Sequence, residues 1–236
     1  MDFFKGKTVV VTGASSGIGR ALAEYFAAAG ANAVLGARHE DALREIVGRI
    51  GAAGGHAAYA VCDVTREADC KRLIDTAVDT FGGVDVLICN AGISMRALFD
   101  EVDLAVLHKL MDVNFWGCVN CTKYAMTGFL ETIRIENRKK GVHVMIACPG
   151  FTASNVRFSA LTADGSQQGE TPREEGKMMT AEEVARIIAR AVVRRKRLCL
   201  MEFQGRATHF VKKFWPSLLD RLFYWYMSKE PDSPFK

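Results

Sequence analysis

No stretch of this 236-residue chain approaches the run of about 18 apolar residues that a membrane-spanning helix needs. Its opening, MDFFKGKTVVVTG, has no long apolar run of the kind a secretory leader carries. Charge of one sign is also scarce. The net charge is +4 and the charges are scattered, which argues against nucleic acid as a partner. The one basic cluster, Arg194-Arg195-Lys196-Arg197, closes a predicted helix, where cations favour the helix dipole. There is no internal repeat and no low-complexity tract. No metal site is expected, because Cys118-x-x-Cys121 has no second pair at zinc spacing. A redox pair belongs at a helix N-terminus, and this one falls in mid-helix, so the two cysteines read as small packed residues. Seven cysteines, an odd number spread through apolar elements, fit a reducing and cytoplasmic setting.

With 49% hydrophobic and 25% charged residues, the chain suits one globular domain. Lys7–Thr12 is a short β-branched run of the buried parallel type. A glycine-rich turn over 13–19 and an alanine-rich helix ending at Gly30 come next. Ala33–Ala37, Ala57–Val61 and Val84–Cys89 read as further strands. Between them lie helices over His39–Ile50 and from a Thr65 cap to Phe81. This alternation predicts an α/β domain with a doubly wound, mostly parallel sheet. Later, His143–Ala147 and Leu198–Phe203 read as strands. Thr180-Ala181-Glu182-Glu183 is a capping box opening a helix to Arg195. Residues 151–179 are polar and long for a loop, as lids are.

The chemistry starts at Thr12-Gly13-Ala14-Ser15-Ser16-Gly17-Ile18-Gly19. Its glycines let the backbone approach a pyrophosphate, and the helix behind offers unpaired N–H groups. At the end of the second strand a dinucleotide ribose is expected. An acid there would bind a 2′-hydroxyl, whereas Gly36-Ala37-Arg38 offers a cation suited to a 2′-phosphate. NADP(H) is therefore the expected cofactor.

These residues, together with motifs further along the chain, resemble the short-chain dehydrogenase/reductase family, of Rossmann-type fold. TGASSGIG matches its cofactor turn, and Asp63-Val64 its adenine contact. Asn90-Ala91-Gly92 matches a turn that steadies the sheet beside the cofactor, and Pro149-Gly150 with Thr152 matches a nicotinamide contact. Asn114 matches the helix asparagine that holds a proton-relay water. The matches run from residue 7 to about residue 203, so 1–203 is expected to be the cofactor domain. The resemblance implies hydride transfer between an alcohol and a ketone or aldehyde, with a serine, a tyrosine and a lysine (Tyr-x-x-x-Lys) moving the proton. It also implies a dimer or tetramer.

The catalytic segment is missing. Tyr25, Tyr59, Tyr124, Tyr224 and Tyr226 are the only tyrosines, and none has lysine four residues on. Lys123 has Val119 where the tyrosine would stand. NFWGCVNCTKYAMTGFLETIRIEN, residues 114–137, reads as one unbroken helix where a strand is due. Its left half resembles the family's helix before the fifth strand, and its right half the helix that carries the lysine. A join near Ala125–Met126 would remove the fifth strand, the serine, the tyrosine and the lysine, leaving Asn114 as the residual catalytic residue. Three readings are open. The protein has residues this sequence omits; a genuine deletion leaves an NADP-binding but inactive or interacting product; or the deletion compromises the fold.

Residues 204–236 form an aromatic, amphipathic tail with Phe210, Phe214, Leu218, Leu222 and Trp225 on one side. Packing on the chain's own core or a second subunit is the favoured reading, and peripheral membrane contact the other. Phe151, Phe158 and Leu161 in the lid hint at a hydrophobic carbonyl or alcohol substrate.

Overall fold

The computed structural model describes residues 2–125, 143–150, 152–153, 158–169, 178–202, 207–208, 210–211 and 214–228. β1 (Thr8–Thr12) is buried along its whole length. It pairs in parallel with β2 (Asn32–Ala37) on one side and β4 (Val86–Ile88) on the other. β3 (His56–Val61) extends the sheet beyond β2, so the order is β3-β2-β1-β4. Successive strand residues face opposite sides. Val9, Val11 and Leu35 therefore pack with α1 (Gly17–Ala28), α2 (Glu40–Ala52) and α6 (Ala181–Val193). Val10 and Val34 pack on the other face with Leu73 of α3 (Glu67–Phe81) and Cys121 of α5 (Gly117–Ala125). This is the doubly wound parallel arrangement the sequence predicts.

Among the described residues the sheet is not continuous. β5 (Ile146–Cys148) pairs only with β6 (Leu198–Leu200), in a separate parallel pair. Among the described residues, β4 and β5 each have a neighbour on one side alone. β4 would lie mid-sheet if a further strand came after it, yet Val86, Leu87 and Ile88 are only half-buried, and Ile146 is 50% exposed. The two pieces share one core: Val184 and Ile188 of α6 and Cys199 of β6 belong to the cluster built on β1 and α1.

Several boundaries differ from expectation. β4 is Val86–Ile88 instead of Val84–Cys89, β5 starts at Ile146 instead of His143, and β6 ends at Leu200. Each pairs over only three residues, which sets its length. Thr65 does not cap α3. Arg66 holds the cap position, and the Thr65 hydroxyl donates to Asp63 Oδ1 at 2.8 Å. The helix expected to begin at Asn114 begins earlier, as α4 (Leu104–Met111), capped by Asp103, whose side chain accepts from the Ala105 N–H. It runs through a π-helical turn, Asp112–Trp116, into α5. The expected join and residues 126–137 of that helix lie outside the described residues. The Thr180–Glu183 capping box forms as predicted, with both reciprocal hydrogen bonds. α7 (Pro216–Ser228) lies in the tail. Of the expected apolar face, Phe210, Phe214, Leu222 and Trp225 are exposed, as is Trp215 beside them, so these side chains are not buried in the core; the Leu218 side chain is not among those described.

Candidate active site

Parallel strands present their C-terminal ends on one side of the sheet, and the turns after β1, β2, β3 and β4 meet there. Gly13 takes φ +64 and Gly17 φ +52, a region that favours glycine. A Cβ on Gly13 would lie 2.9 Å from Ala91 Cα, and one on Gly19 2.6 Å from Asn90 Nδ2, so the two turns meet at backbone contact. Thr12 locks them. Its hydroxyl accepts from the Asn90 and Ala91 N–H groups at 3.0 Å and donates to the Ile88 carbonyl at 3.4 Å. Asn90 Nδ2 donates back to the Thr12 and Gly13 carbonyls at 3.0 and 3.4 Å. Ala14 N–H reaches the Gly36 carbonyl at 3.2 Å, fixing the turn against β2.

Ser16 holds the N-cap of α1 in extended backbone and makes no side-chain cap, so the first-turn N–H groups stay open beside Ser15, Gly17 and Ile18. Arg38 comes directly after β2 and is exposed. Asp63 and Val64 lie just beyond β3. Asp63 Oδ1 accepts from the Thr65 N–H at 3.0 Å, so its carboxylate is partly engaged in its own turn. The Val64 carbonyl accepts from Asn120 Nδ2 at 3.0 Å, pinning this turn to α5. Asp69 accepts from the Asp63 N–H at 3.0 Å and pairs with Arg72 at 2.8 Å. The N–H bond first, and Arg72 after it, hold its carboxyl below 3.8 against the opposing effect of burial.

Asn114 lies in the π-helical turn, its side chain committed to one partner: Oδ1 accepts from the Ile93 N–H and Nδ2 donates to the Ile93 carbonyl, both at 2.8 Å. Gly92 passes close beneath it. Next to this turn, Cys118 is hydrogen-bonded by Cys89, which pulls its thiol down to about 6. Cys121 donates to Cys70 at 3.4 Å. Among the described residues no metal-binding cluster exists.

Pro149-Gly150 comes after β5, and the Thr152 hydroxyl donates to the Gly150 carbonyl at 3.1 Å. Glu202 packs its carboxyl directly on Gly150, where any Cβ would collide with it. No sequence signal marks Glu202 or Asn120. The described part of the lid, 158–169, lies over the segment after Asn90-Ala91-Gly92. Leu161 N–H donates to the Ser94 carbonyl and Arg96 N–H to the Leu161 carbonyl, both at 2.8 Å. Phe151 lies outside the described residues.

Comparisons with known proteins agree with this geometry. The family pattern described as short chain dehydrogenase matches residues 7–127. An 11-beta-hydroxysteroid dehydrogenase A of Sesamum indicum is 29% identical, over 98% of this chain and 78% of its own length. An 11-beta-hydroxysteroid dehydrogenase of Pinus massoniana is 32% identical, over 92% of this chain and 72% of its own. A short chain dehydrogenase/reductase from Burkholderia phymatum, solved in complex with NAD, superposes with TM-score 0.74 at 23% identity, over 90% of this chain and 96% of its own. The chain belongs to the short-chain dehydrogenase family, a family of oxidoreductases. The sesame match extends over 273 positions yet takes in 98% of only 236 residues. About forty positions of that relative therefore face no residue of this chain. The pine match, 259 positions over 92% of the chain, leaves the same excess.

Proposed function

We propose that this chain binds NADP(H) and keeps the cofactor half of a short-chain dehydrogenase site while lacking the group that delivers the proton. One observation carries the reading: none of its five tyrosines stands four residues before a lysine. The binding half fits the cofactor. The Gly13–Gly19 cradle admits no Cβ at Gly13 or Gly19, and the uncapped start of α1 suits a pyrophosphate. Arg38 would meet the 2′-phosphate, Asp63 the adenine, and Pro149, Gly150 and Thr152 the nicotinamide end. When bound, the reduced nicotinamide supplies a hydride to a carbonyl carbon.

The oxygen of that carbonyl needs a proton from a group whose pKa lies near the working pH. The Asn114 amide is not such an acid, and both its polar atoms are held by Ile93. A deletion between Ala125 and Met126 accounts for the loss. Three observations support it: the forty unmatched positions, a family match ending at residue 127, and a sheet that divides between β4 and β5. The lineage substrate is a hydrophobic alcohol or carbonyl, a reading supported by the relatives named for hydroxysteroids and by Phe158 and Leu161 in the lid. Titration with NADPH, monitored by nicotinamide fluorescence, tests the binding half. Saturable enhancement that is weaker for NADH is expected. Absence of any saturable signal would overturn the reading.

A further inference from the structure

We propose that the face of the tail carrying Phe210, Phe214, Trp215, Leu222 and Trp225 docks on an anionic lipid surface. Helical hydrogen bonds run through this segment: Trp215 N–H bonds the Val211 carbonyl at 2.7 Å, and Leu219 N–H bonds the Trp215 carbonyl at 3.2 Å. Phe210 and Phe214, four residues apart, and Leu222 and Trp225, three apart, each stand at helical spacing. Phe210 is 60% exposed, Trp215 59% and Trp225 57%. Phe210 and Phe214 meet at 5.0 Å between ring centroids, and Phe214 and Trp215 at 6.0 Å, each pair tilted by 52°, which makes a contiguous aromatic ridge.

Charge identifies the partner. Between residues 207 and 228 the sequence places Lys212, Lys213 and Arg221 against a single acid, Asp220. A second copy of this chain, meeting the ridge about a two-fold axis, would bring the same cations face to face. Anionic headgroups would instead neutralise them while the rings enter the boundary of the acyl chains. Tryptophan and tyrosine are suited to that boundary, with an apolar body and a polar edge. No helix among the described residues is long and apolar enough to cross a membrane, so the segment would lie along the surface.

The test uses the full chain and sedimentation with vesicles of phosphatidylcholine alone or mixed with phosphatidylserine. The expected result is pelleting with the mixed vesicles, weakened by salt, with a blue shift in tryptophan emission. Trp225→Ser and Phe214→Ser alter exposed positions and should each lower the bound fraction roughly tenfold. Arg221→Glu should weaken binding to the mixed vesicles only. Three results would overturn the proposal: no pelleting with either vesicle, pelleting unchanged in all three variants, or a lipid-free dimer that Trp225→Ser abolishes. Because NADPH titration reads a different surface, failure here leaves the cofactor reading intact, and the reverse holds.

Discussion

Thr12 offers the sharpest test of how the site is built. It is 1% exposed, and its hydroxyl satisfies the Asn90 and Ala91 N–H groups, both at 3.0 Å. Thr12→Val keeps the shape and removes the acceptor. The half-buried Ala91 N–H then loses its acceptor, at about 1–3 kcal/mol, whereas the Asn90 N–H keeps the Ile88 carbonyl at 3.1 Å. The third contact, to the Ile88 carbonyl at 3.4 Å, is long and adds little. A domain of this kind holds only about 5–15 kcal/mol in total, so the substitution removes a large share. Urea unfolding monitored by far-UV circular dichroism measures it. With a slope of about 2 kcal/mol per molar, the midpoint should fall by about 0.5–1.5 M. Thr12→Ser retains the hydroxyl and loses one methyl, at a cost of about 1 kcal/mol. A Val variant within about 0.5 kcal/mol of the parent would refute the reasoning. So would a Ser variant as unstable as the Val variant.

Other substitutions probe the neighbouring parts. Gly19→Ala would drive its Cβ into the Gly13 carbonyl and against Asn90 Nδ2, so nicotinamide fluorescence on adding NADPH should be lost. Arg38→Asp should weaken NADPH binding roughly ten- to hundredfold and favour NADH, read by the same titration, since one charge-assisted pair is worth about 1.5–3 kcal/mol. Asp69 has a lowered pKa, so its contribution is full above 3.8 and is lost as pH falls through the lower folded value. Asp69→Asn should therefore cost about 1–2 kcal/mol in urea unfolding at neutral pH, and the gap between parent and variant should close in acid.

The cofactor half of this fold is legible from local sequence alone. KTVVVTGASSGIG joins a β-branched run to glycines at fixed spacing, and both the strand and the turn form where that pattern places them. The Thr180–Glu183 capping box is equally local, and it forms. What the sequence conceals depends on distant pairing. β4, β5 and β6 are apolar over five or six residues but pair over three, a length that depends on partners distant in sequence. Asn120 and Glu202 carry no motif, because their partners, the Val64 carbonyl and Gly150, lie over fifty residues away in sequence. α4 has a local signal that the strand–helix alternation masks: Asp103 before LAVLHKLM is an N-cap ahead of an apolar period. The tail reads as apolar from sequence, and its pattern alone does not show that Phe210, Trp215 and Trp225 are exposed.

The central claim is that a chain without Tyr-x-x-x-Lys holds its cofactor and cannot supply the proton that must accompany the hydride. Its most direct test is absorbance at the NADPH band during incubation with a panel of hydrophobic ketones and aldehydes. The protein should first be verified by intact mass as the 25.9 kDa chain. The account predicts no loss of NADPH above the protein-free rate, in the same preparation whose fluorescence titration saturates. Sustained NADPH oxidation that co-purifies with the verified chain, and that Gly19→Ala abolishes, would contradict it.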